Sequence, residues 1–148
     1  MRSEDPRLQG LIEWFEHLQP DSLSLLETFY TPQARFKDPF NQVQGHDSIR
    51  AVFEHMFKTL RAPRFVVCEA VVQGDDAFLV WDFLFRWRSG SGPEVCIRGA
   101  THLKFAPDGR VSFHRDYWDA AEELYEKLPL LGSFIRWLKR RVATSTPT

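Results

Sequence analysis

The spacing of apolar residues changes once along the chain, and that change constrains the fold more than any other feature. Up to Pro63 apolar residues recur three and four apart, and beyond it they alternate; the two periods belong to helix and strand. Asp5 and Pro6 read as a helix entry, a capping acceptor followed by proline in the first turn. Leu8, Leu11, Ile12, Phe15 and Leu18 then mark one helical face, which Pro20 ends. Asp21 is placed to cap a second helix carrying Leu23, Leu26, Phe29 and Tyr30, and Asp47 a third carrying Ile49, Val52, Phe53, Met56, Phe57 and Leu60. Between them, 34–40 reads as a short strand broken at Pro39. Residues 65–72, 77–88, 95–105 and 111–118 read as long strands. Gly74 with Asp75 and Asp76, Ser89 to Gly92, and Pro107 with Asp108 and Gly109 supply the turns. Three helices followed by an antiparallel meander is an α+β order, not a βαβ one. The reading is a single domain over 1–148, with 119–142 a C-terminal helical extension broken near Pro129 and Gly132.

Composition removes several classes of function. A net charge of -1 leaves no broad basic field for nucleic-acid phosphates. No apolar run reaches the roughly 20 residues of a membrane span, and the polar start from Met1 to Gly10 does not read as a signal peptide. Cys68 and Cys96 lie in strand-like segments without metal-ligand spacing, which suits buried thiols in a reducing, cytoplasmic setting.

The order helix, helix, Phe36-Lys37-Asp38-Pro39, helix and meander resembles the nuclear transport factor 2-like superfamily. The run from Asp38-Pro39 to Gly45 is similar to its SnoaL-like and ketosteroid isomerase-like branch. The resemblance implies a cone, a curved antiparallel sheet wrapped around three N-terminal helices, with an apolar pocket and an extra C-terminal helix. It places the isomerases' general base on Asp38, their oxyanion tyrosine on Trp14 and their oxyanion aspartate on Thr101. His114-Arg115-Asp116-Tyr117-Trp118-Asp119 is similar to the last strand of limonene epoxide hydrolases, which puts their catalytic aspartates on Asp82 and Asp116. Their bridging arginine falls on Val80, and their water-binding tyrosine and asparagine on Phe36 and Asp38.

Alternation and resemblance disagree at one strand. Periodicity alone turns Trp81, Phe83, Phe85 and Trp87 inward and leaves Asp82 in water. The resemblance implies the reverse, with the four aromatics outward and covered by a second subunit, and that reading is adopted here. Asp38, Asp82, His114 and Asp116 are then the candidate catalytic residues, and Trp14, Phe36, Thr101 and Trp118 the candidate ligand-binding ones. Three carboxylates sharing an apolar cavity would leave at least one protonated near neutral pH. The expected function is cofactor-free acid–base chemistry, isomerisation, hydration or cyclisation, on a small apolar molecule, with no bound metal. The alternative is a non-catalytic ligand-binding or dimerisation module. In either case a homodimer through the outer sheet face is expected. Leu131, Ile135, Leu138 and Val142 form a stripe on the last helix, beside Arg136, Lys139, Arg140 and Arg141; this is read as a helix bordering the pocket rather than one lying on lipid.

Overall fold

The computed structural model describes residues 1–88, 92–124 and 129–143, with the side chains of 129 and 130 left out. The chain divides into two compact units, Met1–Trp118 and Asp119–Thr148. The first is the α+β cone. It begins with α1, Pro6–Glu16, whose N-cap Asp5 accepts the backbone N–H of Arg7 and which buries Leu8, Leu11, Ile12, Trp14 and Phe15. A 3₁₀ helix, Pro20–Leu25, and a single turn α2, Leu26–Phe29, follow. Strands β1, Tyr30–Lys37, and β2, Gln42–Gln44, precede α3, His46–Thr59. The meander is β3, Leu60–Gln73; β4, Asp76–Trp87; β5, Val95–Phe105; and β6, Val111–Tyr117.

The strand order is β2-β1-β6-β5-β4-β3, so the curved sheet stays unclosed, with β2 and β3 at its ends. It is not wholly antiparallel: β1 runs parallel to β6, pairing Phe36 with His114 and Lys37 with Arg115. The second helix is also shorter than its apolar spacing implies. Tyr30 leaves it and opens β1, because pairing with β6 and full burial of the ring outweigh one more helical turn. The turn at 89–91 lies outside the described residues.

Strand β4 overturns the adopted facing. Ala77, Leu79, Trp81 and Phe85 are buried and Phe83 is half-buried, while Asp82 points to the other face and meets Arg98 at 2.8 Å. Period 2 permits no compromise. Burying large aromatics stabilises by about 25 cal/mol per Å² of apolar surface, several kcal/mol over three rings. Turning Asp82 inward instead would bury a carboxylate at a cost of several kcal/mol. Of the four rings only Trp87, at the strand end, is exposed. The two thiols are displaced by the same alternation: Cys96 is exposed and Cys68 half-buried, so neither is a core residue.

Close approach explains one glycine. Gly99 sits opposite Trp81 in the β4–β5 ladder, and the indole ring lies flat where a Cβ would stand. The second unit contains α4, Ala120–Glu123, capped by Asp119, and α5, Pro129–Val142, where Phe134 stacks on Trp137 and the last turn is basic. No helix among the described residues is long and apolar enough to cross a membrane.

Gly99→Ala forces Trp81 out of its site, so it is expected to destabilise the fold by about 1–3 kcal/mol. Urea unfolding checks this, and an unchanged midpoint with an unchanged slope shows that the ring is free to move.

Candidate functional site

The concave face of the sheet carries a chain of buried polar side chains, each supplied by a different strand or by the next inward position along one. Tyr30 on β1 lies 2.8 Å from Nδ1 of His114 on β6. Nε2 of His114 lies 2.8 Å from Oδ1 of Asp116, two residues along the same strand and so on the same face. Thr101, the register partner of Asp116 on β5, donates its hydroxyl to the same Oδ1 at 2.5 Å. Trp81 on β4 donates its indole N–H to Thr101 Oγ1 at 2.7 Å.

The direction of every proton follows from what each group can do. Burial, reinforced by the charge of Asp116, pushes the Tyr30 phenol well above its usual range, so it stays O–H and donates. His114 Nδ1 is then the acceptor, and Nε2–H donates to Asp116. Thr101 must accept from Trp81, whose indole is donor only, and so gives its own proton to Asp116. Both donations to the carboxylate fall on Oδ1. Oδ2 takes no hydrogen bond from the described residues, and no buried side-chain atom among them is left unpartnered, so this oxygen is accessible.

Asp116 lines a cavity otherwise walled by apolar groups, with Phe15 of α1, Phe53 of α3, Phe65 and Val67 of β3, and Leu79 and Trp81 of β4 around His114 and Thr101. The space open to the centre of a water-sized sphere is about 30 Å³, room for a ligand of a few heavy atoms. A larger one requires the phenyl rings to swing aside.

Of the four candidate catalytic residues the structure brings together two, His114 and Asp116. Asp82 lies on the outer face, and its ion pair with Arg98 holds its carboxyl below the ordinary value of 3.8. The epoxide hydrolase-like pair of Asp82 and Asp116 therefore does not form, since the two point to opposite faces of the sheet. Nor do three carboxylates share an apolar cavity. Asp38 is not among the cavity's lining residues; it closes the turn into β2, accepting the backbone N–H groups of Phe40 and Asn41 and the Asn41 amide. Of the four ligand-binding candidates, Thr101 lines the cavity, and Phe36 packs its ring 4.5 Å from that of His114. Trp14 is buried, but its N–H is given to the Ser22 carbonyl, and Trp118 packs on Phe40 instead. The reading missed Tyr30, assigned to a helix, and Trp81, turned outward; plain alternation along β4 places Trp81 correctly. Among the described residues no group of His, Cys, Asp and Glu is arranged to hold a metal ion.

A family model described as a SnoaL-like domain matches residues 11–114, from α1 to the central histidine of the relay. The chain belongs to the SnoaL-like domain family. Solved structures agree on the fold. A Catenulispora acidiphila protein with a ketosteroid isomerase-like fold, in complex with trimethylamine, superimposes at TM-score 0.70 with 13% identity, over 82% of this chain and 92% of its own. TerC, co-crystallised with polyporic acid, gives 0.67 at 15% identity, over 80% and 95%. A Shewanella putrefaciens chain whose name proposes a SnoaL-like polyketide cyclase gives 0.67 at 19%, over 82% and 98%. No curated protein matches the sequence. Within this SnoaL-like domain, Asp116 lies just beyond the matched segment, at the end of the strand that carries His114.

The outer pair offers a pH test of the corrected facing. Because the folded Asp82 carboxyl titrates below its unfolded value, its contribution is complete above about pH 4 and disappears as pH falls through the folded value. Arg98 is well exposed, so solvent and salt screen the pair and its contribution is small. Asp82→Asn is expected to lower the melting temperature slightly at about pH 7, the difference shrinking as the pH is lowered through the acid range, read by thermal melts. A loss of several kcal/mol would place Asp82 in the interior.

Proposed function

We propose that this SnoaL-like domain binds a small, largely apolar carbon acid and moves its proton with Asp116, without a cofactor. The observation that supports this is the accessible Oδ2 of Asp116 in an aromatic-walled cavity, with Oδ1 fixed by His114 and Thr101. Oδ2 takes a proton from carbon; returning it to another carbon of the ligand gives isomerisation, whereas attack of the carbanion on a carbonyl of the same ligand, with the proton returned to the oxygen so formed, closes a ring. Tyr30 and His114 act as positioning residues: Tyr30 holds the imidazole, and the imidazole holds the carboxylate. Ligands in related structures, trimethylamine and polyporic acid, suit a fold that accommodates small molecules.

The hydrogen-bond chain also narrows the substrate. The N–H of Trp81, the O–H groups of Thr101 and Tyr30 and both nitrogens of His114 are all engaged, so the polar groups lining this cavity include no spare donor for a developing oxyanion. One such donor is worth about 10²–10³ in rate, and a positioned base about 10²–10⁴. A site with base and no donor suits a substrate that delocalises its own negative charge, as a small 1,3-dicarbonyl does, better than a simple ketone or a steroid; a longer chain of that kind enters only as the phenyl rings move aside.

A second reading rests on the outer face. Val66, Val71, Phe78 and Tyr117 are 36–55% exposed there, an apolar area that fits a dimerisation surface. It replaces the aromatic stripe of β4 as the contact of the expected homodimer.

Two measurements test these readings. Deuterium uptake from D₂O into a β-keto ester, followed by proton NMR, is expected to fall by about 10²-fold or more in Asp116→Asn with the fold intact; equal exchange in the variant ends the base assignment. Sedimentation velocity is expected to give a dimer for the wild type at micromolar concentration and a monomer for Phe78→Glu. A wild-type monomer removes the dimer reading.

A further inference from the structure

The outer face is not uniform, and its β2-β1-β6 end carries charges that nothing in the acid–base reading uses. Cross-strand register sets two rows there. One runs Gln42, Lys37, Arg115, His102, Phe78. The other runs Gln44, Arg35, Phe113, Lys104, Asp76. The acid in these rows, Asp76, is held at the far end by His102 at 2.7 Å and Lys104 at 3.9 Å. Its carboxyl is held below the ordinary range chiefly by the hydrogen bond from His102.

That leaves Arg35, Lys37 and Arg115. Among the described residues none of them makes an ion pair, and the Arg115 guanidinium is laid over the Tyr117 ring at 4.5 Å. Lys37 and Arg115 are direct partners across the parallel ladder, and like charges so placed repel. Repulsion built into an ordered ladder is relieved by an anion lying between the two strands. A groove of about 440 Å³ lies there, with Arg35, Lys37, Gln42, Gln44 and Arg115 as its polar lining and no carboxylate. Two guanidinium groups, an ammonium and the Gln42 amide line it as donors, with the Gln44 amide given to the Gln33 carbonyl and Phe113 beside them. In a chain of net charge -1 the groove is a local excess of positive charge.

We propose that this groove is a binding site for a small polyvalent oxyanion, a phosphate ester or a polycarboxylate, held by Arg35, Lys37 and Arg115. Its polar donors face away from Asp116, so the site is separate from the cavity, and its occupancy is independent of the acid–base reading.

Isothermal titration of the full chain with inorganic pyrophosphate, and separately with citrate, tests it at a constant ionic strength of about 0.15 M. Saturable binding of either anion is expected, weakened at least tenfold in Arg35→Gln/Arg115→Gln and unchanged in Arg64→Gln on the opposite end of the sheet. Pyrophosphate alone assigns the groove to phosphate esters, citrate alone to polycarboxylates, and both to the shared oxyanion chemistry. Lys37→Gln gives a milder loss and serves if the double variant does not fold. Absence of binding by the wild type, or equal binding by wild type and double variant, overturns the proposal.

Discussion

The hydrogen-bonded chain from Tyr30 through His114, Asp116 and Thr101 to Trp81 is the constraint on which this architecture turns. A histidine and a carboxylate set against aromatic rings cost several kcal/mol unless nearly every polar atom is matched. Here the matching spans β1, β6, β5 and β4, so four strands must hold their register together. A shift of one residue in any of them reverses its faces and breaks the chain. The parallel contact between β1 and β6 is what brings the Tyr30 hydroxyl to the imidazole, and Gly99 is what lets the Trp81 indole reach Thr101.

The chain also decides the chemistry left to the cavity. Its donors are spent internally, and its polarity runs toward one oxygen of one carboxylate. On the proposed reading the product is a base of fixed position in an apolar space, with the rest of the reaction depending on the ligand's own capacity to carry charge. Many related folds hold different polar sets on the same scaffold; in this one the Trp14 N–H is given to a backbone carbonyl and the Thr101 hydroxyl to Asp116.

The two faces of the sheet divide the polar residues between distinct tasks. Inward, charge among the described residues is rare, and Asp116 is held through one oxygen by His114 and Thr101. Outward, acid and base are paired near β4 and β5 by Asp82 with Arg98 and by Asp76 with His102, whereas the β1–β6 edge concentrates cations. Alternation with period 2 is the physical reason that neighbours such as Arg115 and Asp116 serve opposite surfaces.

From the sequence by itself, the helix-to-strand change of period determined the α+β class, and spacing placed α1, α3 and the last three meander strands within a few residues of their observed ends, while β3 begins at Leu60, well before its expected start at 65. It also determined that His114 and Asp116 share a face, because local geometry admits no other outcome two residues apart on a strand. Only the tertiary structure decided which face. For β4 the energy of burying Trp81, Phe83 and Phe85 exceeded anything Asp82 could gain inside, a comparison that needs the opposing helices and α1's Phe15 in place. Tyr30 was hidden for a related reason: its local sequence suits a helix end, and its pairing with β6 spans most of the chain. Whether a side chain becomes part of a site is a long-range question, settled by register and burial that no local pattern contains.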